Sequence, residues 1–215
     1  GYLIGGVVIF AMGLIDDIFN LKARYKFLFQ LFAAIIVYIF GVRLSGIKIP
    51  FIYTDIINLG WLDFPITLLW IIGITNAINL IDGLDGLSSG IASIYFLTIG
   101  VIAMLLNNSN GLDIILTFIM LGSTLGFLVH NFNPAKIFMG DSGSMFLGYI
   151  IAVIALLGFK NITLTSFLVP MLLLAIPIID TLFAILRRLI NHKPLGEPDK
   201  NHLHHQLLKL RLSQR

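Results

Sequence analysis

The stretch "FPITLLWIIGITNAINLIDGLDGLSSG", residues 64–90, decides the fold. Residues 64–81 carry no charge and have the length of a helix that crosses a bilayer. The run then ends in Asn76, Asn79, Asp82 and Asp85, with Gly83 and Gly86 between and after the carboxylates. At 3.6 residues per turn, Asn76, Asn79 and Asp82 form one slanted stripe on a helix face. Ionisable groups at membrane depth are costly and face the protein interior or a wet cavity. Capping at the interface explains one Asp. It does not explain two amides, two carboxylates and two glycines that permit a helix end or a close backbone approach to a ligand.

The rest of the chain supports lipid as the solvent. It has 215 residues, 58% hydrophobic and 12% charged, with a mean hydropathy of +0.97. A soluble domain carries about 25% charged residues. Charge-free intervals fall at 1–15, 27–42, 64–81, 86–112, 114–135, 142–159 and 161–179. They predict seven transmembrane helices, with Lys26 and Arg43 as snorkelling ends of the short second one. As buried helices of a soluble protein, seven such runs leave too little polar surface to cover them. There is no cysteine, which excludes disulfides and thiolate metal sites. The chain opens at Gly1 inside an apolar run, without a basic n-region or cleavage site, so the first run is not a signal peptide. The whole is expected to be one integral membrane catalytic domain, 1–215, cut from a longer protein.

Alternation of seven helices puts loops 16–26, 82–85, 130–141 and 180–215 on one side. Loops 43–63, 107–113 and 158–163 fall on the other. Eleven Lys and Arg lie on the first side and three on the second, so the first side is cytoplasmic. The external segment 43–63 has β-branched alternation and predicts a short hairpin. All five histidines and Asp16, Asp17, Asp82, Asp85, Asp141 and Asp180 arrive on the cytoplasmic side.

Three further constellations lie there. In "GLIDDIFNLKARYK", 13–26, the adjacent carboxylates Asp16 and Asp17 repel unless a cation or a proton relieves them. The pair reads either as a polar helix terminus at the interface or as a site for Mg²⁺ or a phosphate-handling base. Lys22, Arg24 and Lys26 follow and can grip phosphate or anionic lipid. In "HNFNPAKIFMGDSGSMFLGY", 130–149, Asp141 stands between glycines before an apolar helix that Ser142 and Ser144 are expected to cap. Phe138 can stack on a base and Asn131 can hydrogen-bond one. In "EPDKNHLHHQLLKL", 197–210, three histidines fall within four residues, a spacing better suited to phosphate or sugar hydroxyls than to tetrahedral zinc. Carboxylates without thiolates suit a hard cation, Mg²⁺ or Mn²⁺, which binds through one or two carboxylates plus substrate phosphates.

The motifs "LIDD", "NAINLIDGLDGL", "FMGDSGSMFLG" and "DKNHLHHQLL" occur in the order found in the polyprenyl-phosphate N-acetylhexosamine-1-phosphate transferases, glycosyltransferase family 4, which the chain resembles throughout. The "HLHH" form is similar to the initiators of teichoic acid and O-antigen synthesis more than to the muramoyl-pentapeptide branch. The resemblance implies transfer of N-acetylhexosamine-1-phosphate, most simply GlcNAc-1-phosphate, from a UDP-sugar to undecaprenyl phosphate with release of UMP. It implies Asp141 as the Mg²⁺ ligand, Asp16 beside the attacking lipid phosphate, and Asp17 supporting metal or lipid phosphate. Asn76, Asn79, Asp82 and Asp85 would line the nucleotide–diphosphate site, and Asn131 and Phe138 the uracil pocket. His202, His204 and His205 would hold the diphosphate–sugar part. The expected setting is a bacterial plasma membrane, with a cytoplasmic site and a homodimer as the allowed assembly. Nucleic acid is not an expected partner. Family members have about ten or eleven spans, so this chain is expected to lack helices at both ends.

Two other classes compete. An intramembrane prenyltransferase also uses Asp-bound Mg²⁺, but its two Asp-rich motifs should resemble each other, and "LIDD" and "DGLDG" do not. An ion or proton transporter would place carboxylates near the bilayer midplane rather than at helix ends on one face.

Overall fold

The computed structural model describes residues 1–47, 57–106, 111–158, 172 and 174–190. Its elements are α1 (Tyr2–Phe19), α2 (Ala23–Ile39), β1 (Gly46–Ile47), β2 (Ile57–Asn58), a 3₁₀ turn (Gly60–Leu62), α3 (Asp63–Ile81), α4 (Leu87–Leu106), α5 (Leu112–Asn131), α6 (Gly140–Gly158) and α7 (Ala175–Ile190). The protein is an all-α, multi-pass membrane protein. Among the described residues five helices are long and apolar enough to cross a membrane: α1, α3 with its 3₁₀ lead-in, α4, α5 and α6. β1 and β2 pair antiparallel, Gly46 with Asn58 and Ile47 with Ile57, which is the expected external hairpin.

α6 is the axis of the bundle. It packs on α1 and α3, and touches the α4–α5 pair. Nearly every residue from Ser144 to Leu156 is buried. Without a hydrophobic force between helices in lipid, close backbone approach and interhelical hydrogen bonds hold such a bundle. Both devices are present. A Cβ on Gly13 of α1 would fall on the Cα of Ser142, and one on Gly148 would lie 2.8 Å from the Cα of Thr75 in α3. Trp70 Nε1 and Tyr95 Oη each donate to an α6 carbonyl, of Ala152 and Ile151, at 3.2 Å. α5 is the least buried of the spans and turns its apolar side outward.

Several boundaries differ from expectation: α1 runs past 15 through Asp16 and Asp17 to Phe19, and α5 stops at Asn131 rather than 135. α2 begins at Ala23, not 27, and takes Lys26 into its second turn. Lys26 does not snorkel: its ammonium turns inward to two carboxylates. Only the end of the interval 161–179 falls within the described residues. There, α7 does not stop at Asp180 but runs on to Ile190. Asp180 is buried while Ile179, Leu182, Phe183, Leu186 and Ile190 are exposed, so the charge sits on the inner face of an amphipathic helix instead of ending it. Arg43, the other expected snorkelling end, ion-pairs with Asp63 at 3.5 Å and lies over the Tyr38 ring.

Candidate active site

The C-terminal ends of α1 and α3 and the N-terminal end of α6 meet on one face. α1 ends where Asn20 enters the left-handed region (φ 51) and returns its N–H to the Asp16 carbonyl. The chain then turns into α2, and Asp16 Oδ1 accepts the Leu21 N–H at 2.7 Å. Asp16 is 3% exposed, and its other oxygen forms an ion pair with Lys26 Nζ. The same ammonium donates to Asp141 Oδ2 at 2.7 Å. Asp141 Oδ1 accepts from Asn79 Nδ2 at 2.9 Å, and that amide also donates to Ser144 Oγ at 2.8 Å. Asp16, Lys26, Asp141 and Asn79 thus form one chain of contacts across four helices.

The expected repulsion between Asp16 and Asp17 is resolved by direction. Asp16 faces Lys26, whereas Asp17 reaches α6 and accepts the N–H of Asp141 (2.7 Å) and of Ser142 (3.1 Å). The cap of α6 is therefore supplied by another helix. Ser144, expected as a cap, instead donates back to the Gly140 carbonyl at 2.7 Å.

Asn79, Asp82, Asp85, Asn131, Phe138 and Asp141 line a single cavity of about 290 Å³, together with the Gly83–Leu84 turn and Met139–Gly140. Phe138 is 78% exposed at its mouth. Asp82 accepts the Ser88 hydroxyl. Burial holds its carboxyl above the usual range; the Ser88 hydrogen bond opposes that and the Asp141 charge adds to it. Asp85 Oδ2 accepts from Asn133 Nδ2 at 2.9 Å and from the Ala135 N–H at 3.1 Å. Asn131, 4% exposed, accepts from the Gly86 N–H and the Ser89 hydroxyl and donates to the Ile137 carbonyl. Asp85 and Asn131 thereby fasten the loop that carries Phe138 to the start of α4.

Asn76 stands apart from this cavity. Its amide pairs reciprocally with Gln30 of α2, at 2.7 and 3.2 Å, and donates to the Ile72 carbonyl. Gln30 and Asn76 line a second, more open and mostly apolar cleft of about 500 Å³ with Ala23, Arg24, Lys26, Phe27 and Leu28. The expected stripe is real for Asn79 and Asp82; Asn76 is drawn to α2. Gln30 and Ser88 are the site residues that motif reading did not assign, and Lys26, read as a grip for phosphate or anionic lipid, stands between Asp16 and Asp141. The one signal for Gln30 was a lone amide inside the apolar run "FLFQLFAA". His202, His204 and His205 lie outside the described residues.

Among the described residues no three His, Cys, Asp or Glu side chains converge as a metal-binding group. Asp141 and Asp82 line the same cavity and are the carboxylates that would hold a cation there. That all-oxygen, incomplete donor set fits Mg²⁺ completed by substrate phosphates and water.

Fold and site together define an integral membrane protein whose polar chemistry is gathered at one end of its helix bundle. The sequence profile of glycosyl transferase family 4 matches residues 1–159, and the chain belongs to that family. A probable undecaprenyl-phosphate N-acetylglucosaminyl 1-phosphate transferase of Bacillus subtilis is 48% identical over 213 residues, covering 99% of this chain and 59% of that protein. A decaprenyl-phosphate N-acetylglucosaminephosphotransferase of Mycobacterium tuberculosis is 37% identical over 232 residues, covering 99% of this chain and 57% of that protein. A phospho-N-acetylmuramoyl-pentapeptide-transferase of Listeria innocua is 42% identical, but over only 159 residues and 68% of this chain. The chain spans somewhat over half the length of the first two relatives.

Proposed function

We propose that the protein transfers N-acetylglucosamine-1-phosphate from its UDP derivative to undecaprenyl phosphate on the cytoplasmic side of a bacterial plasma membrane, releasing UMP and starting a cell-envelope glycopolymer. The observation that carries this reading is the pair of clefts meeting at one ion cluster. The smaller cavity is polar, ends in exposed Phe138 and holds Asp82 and Asp141. The larger is apolar with Arg24 and Lys26. Lys26 lines the second and bonds Asp141, which lines the first. A nucleotide donor suits the first cleft, and a lipid with a phosphate head suits the second.

In this reading an oxygen of the lipid phosphate attacks the β-phosphorus of the donor. The bond from that phosphorus to the bridging oxygen breaks, and the electron pair leaves with UMP. A phosphate monoester has a second pKa of about 6 and is largely ionised at neutral pH. Positioning and charge neutralisation therefore matter more than a strong base. Lys26 presents an ammonium to the incoming phosphate, and Asn79 holds the Asp141 carboxylate in line. Phe138 offers a face on which the base stacks. When bound at Asp141 and Asp82, Mg²⁺, or Mn²⁺ in its place, supplies charge stabilisation for the diphosphate. The names of the Bacillus and Mycobacterium relatives support the sugar and the polyprenyl phosphate.

The test is incubation of the full-length protein with undecaprenyl phosphate and labelled UDP-GlcNAc or UDP-MurNAc-pentapeptide, with and without EDTA. A lipid-linked product from UDP-GlcNAc, lost on chelation, is expected. No lipid product from either donor refutes the reading.

A further inference from the structure

We propose that Asp17 is a positioning residue, which fixes Asp141 by capping α6 from α1, and not a metal ligand. The inference rests on the functional reading above for what Asp141 does, but its structural part stands separately. Both carboxylate oxygens of Asp17 accept backbone N–H groups at the start of α6, those of Asp141 and Ser142. The first N–H groups of a helix have no partner within the helix, and its N-terminus favours a negative charge. Here one side chain answers both needs.

The surroundings are shaped for this joint. Gly140 has φ 67, and a Cβ there would lie 2.8 Å from Asp17 Oδ2 and 3.1 Å from Oδ1. Only glycine leaves the carboxylate room to reach the amides. Gly13, one turn before Asp17 on the same face of α1, brings the two backbones together, since a Cβ on it would fall on Ser142. The adjacent Asp16 faces the opposite partner, Lys26. The two carboxylates of "LIDD" therefore do different work: Asp16 belongs to the ion cluster, and Asp17 sets the first turn of α6. That turn aims Asp141 between Asn79 and Lys26.

Cap and ligand roles rank substitutions differently. Asn offers one acceptor oxygen to the two N–H groups and Ala offers none; a neutral amide is a poor Mg²⁺ ligand. The experiment uses the full-length protein in nanodiscs with D17N and D17A. Amide exchange across residues 140–146 is measured without metal, and turnover is measured against Mg²⁺ concentration. Loss of a cap predicts that D17A speeds exchange at both Asp141 and Ser142 by about fivefold to thirtyfold, while D17N, which keeps one acceptor, protects one of the two amides and falls between the parent and D17A. Turnover follows the same order, with D17N between the parent and D17A, and the Mg²⁺ concentration for half-maximal rate moves less than about threefold in D17N. Unchanged exchange in D17A, or D17N as inactive as D17A with a half-saturating Mg²⁺ raised about tenfold or more, overturns the proposal. If the parent protein transfers no sugar phosphate at all, the functional reading fails while the exchange arm still decides the cap.

Discussion

Lys26 is the residue on which the site turns. It is partly exposed, yet its ammonium joins Asp16 and Asp141, two carboxylates 125 positions apart in the chain. Removing it as Lys26→Met leaves Asp16 buried and unpaired, which costs about 3 kcal/mol when one partner of a buried pair is lost. Thermal unfolding in detergent should show that loss. The double variant with Asp16→Asn should recover most of the stability but not the transferase activity, a coupling that a double-mutant cycle reads directly. Asp82 gives a pH-dependent counterpart. Its carboxyl is raised above 3.8 in the fold, chiefly by burial. Folding then takes up a proton as pH falls through that window. The contribution is full below the unfolded value and is lost as pH rises through the folded one. Asp82→Asn should therefore gain stability near neutral pH relative to the acidic end, while losing transferase activity. Greater pH sensitivity of unfolding in the variant would contradict this. Asp16, Asn79, Asp82 and Asp141 were legible because each is a polar residue at the end of an apolar run. Lys26 was legible as a cation for phosphate or lipid, but not as the link between two carboxylates. Its partners come from other helices, and no spacing along the chain predicts them. Asn131 and Asp85 show the converse: both line the cavity, as the resemblance implied, but their bonds to the loop and to the start of α4 had no signal in the sequence.

At the scale of elements, the close approach of α6 to α1 and α3 sets the geometry of the cavity. A Cβ at Gly148 would lie 2.8 Å from the Thr75 Cα and 2.9 Å from its carbonyl oxygen. Backbone cannot move aside as a flexible side chain can. Gly148→Ala should lower the unfolding temperature and weaken donor binding, because Asn79 lies one turn along α3 from Thr75. Gly122, on the outward α5, has nothing within 4 Å of its missing Cβ. Gly122→Ala should be neutral or stabilising, since alanine is the better helix former by about 1 kcal/mol. Equal effects of the two substitutions would show that helix propensity, not interhelical distance, governs. The spans themselves were legible from gaps between charges. Their ends were displaced where a charge turned into the protein interior, as at Lys26 in α2 and the buried Asp180 in α7. The hairpin of Gly46–Ile47 with Ile57–Asn58 was legible because β-branched alternation differs from the pattern of the spans.

At the scale of the whole molecule, alternation of helices carried the argument furthest. A chain that crosses the membrane at each span has no freedom in which ends meet. Asp16, Asp82 and Asp141 therefore gather on one face, and Asp63 with Arg43 and Tyr38 forms a separate ionic group at the opposite end of α3. The central claim is that the cluster of Asp141, Lys26, Asp16 and Asn79 is the place where a nucleotide diphosphate and a lipid phosphate react. Its most direct test is UMP release by full-length Asp141→Asn with UDP-GlcNAc, undecaprenyl phosphate and saturating Mg²⁺. A fall of at least about a hundredfold, in a protein that unfolds at the parent temperature, is the predicted result. Turnover within a few-fold of the parent would contradict the account.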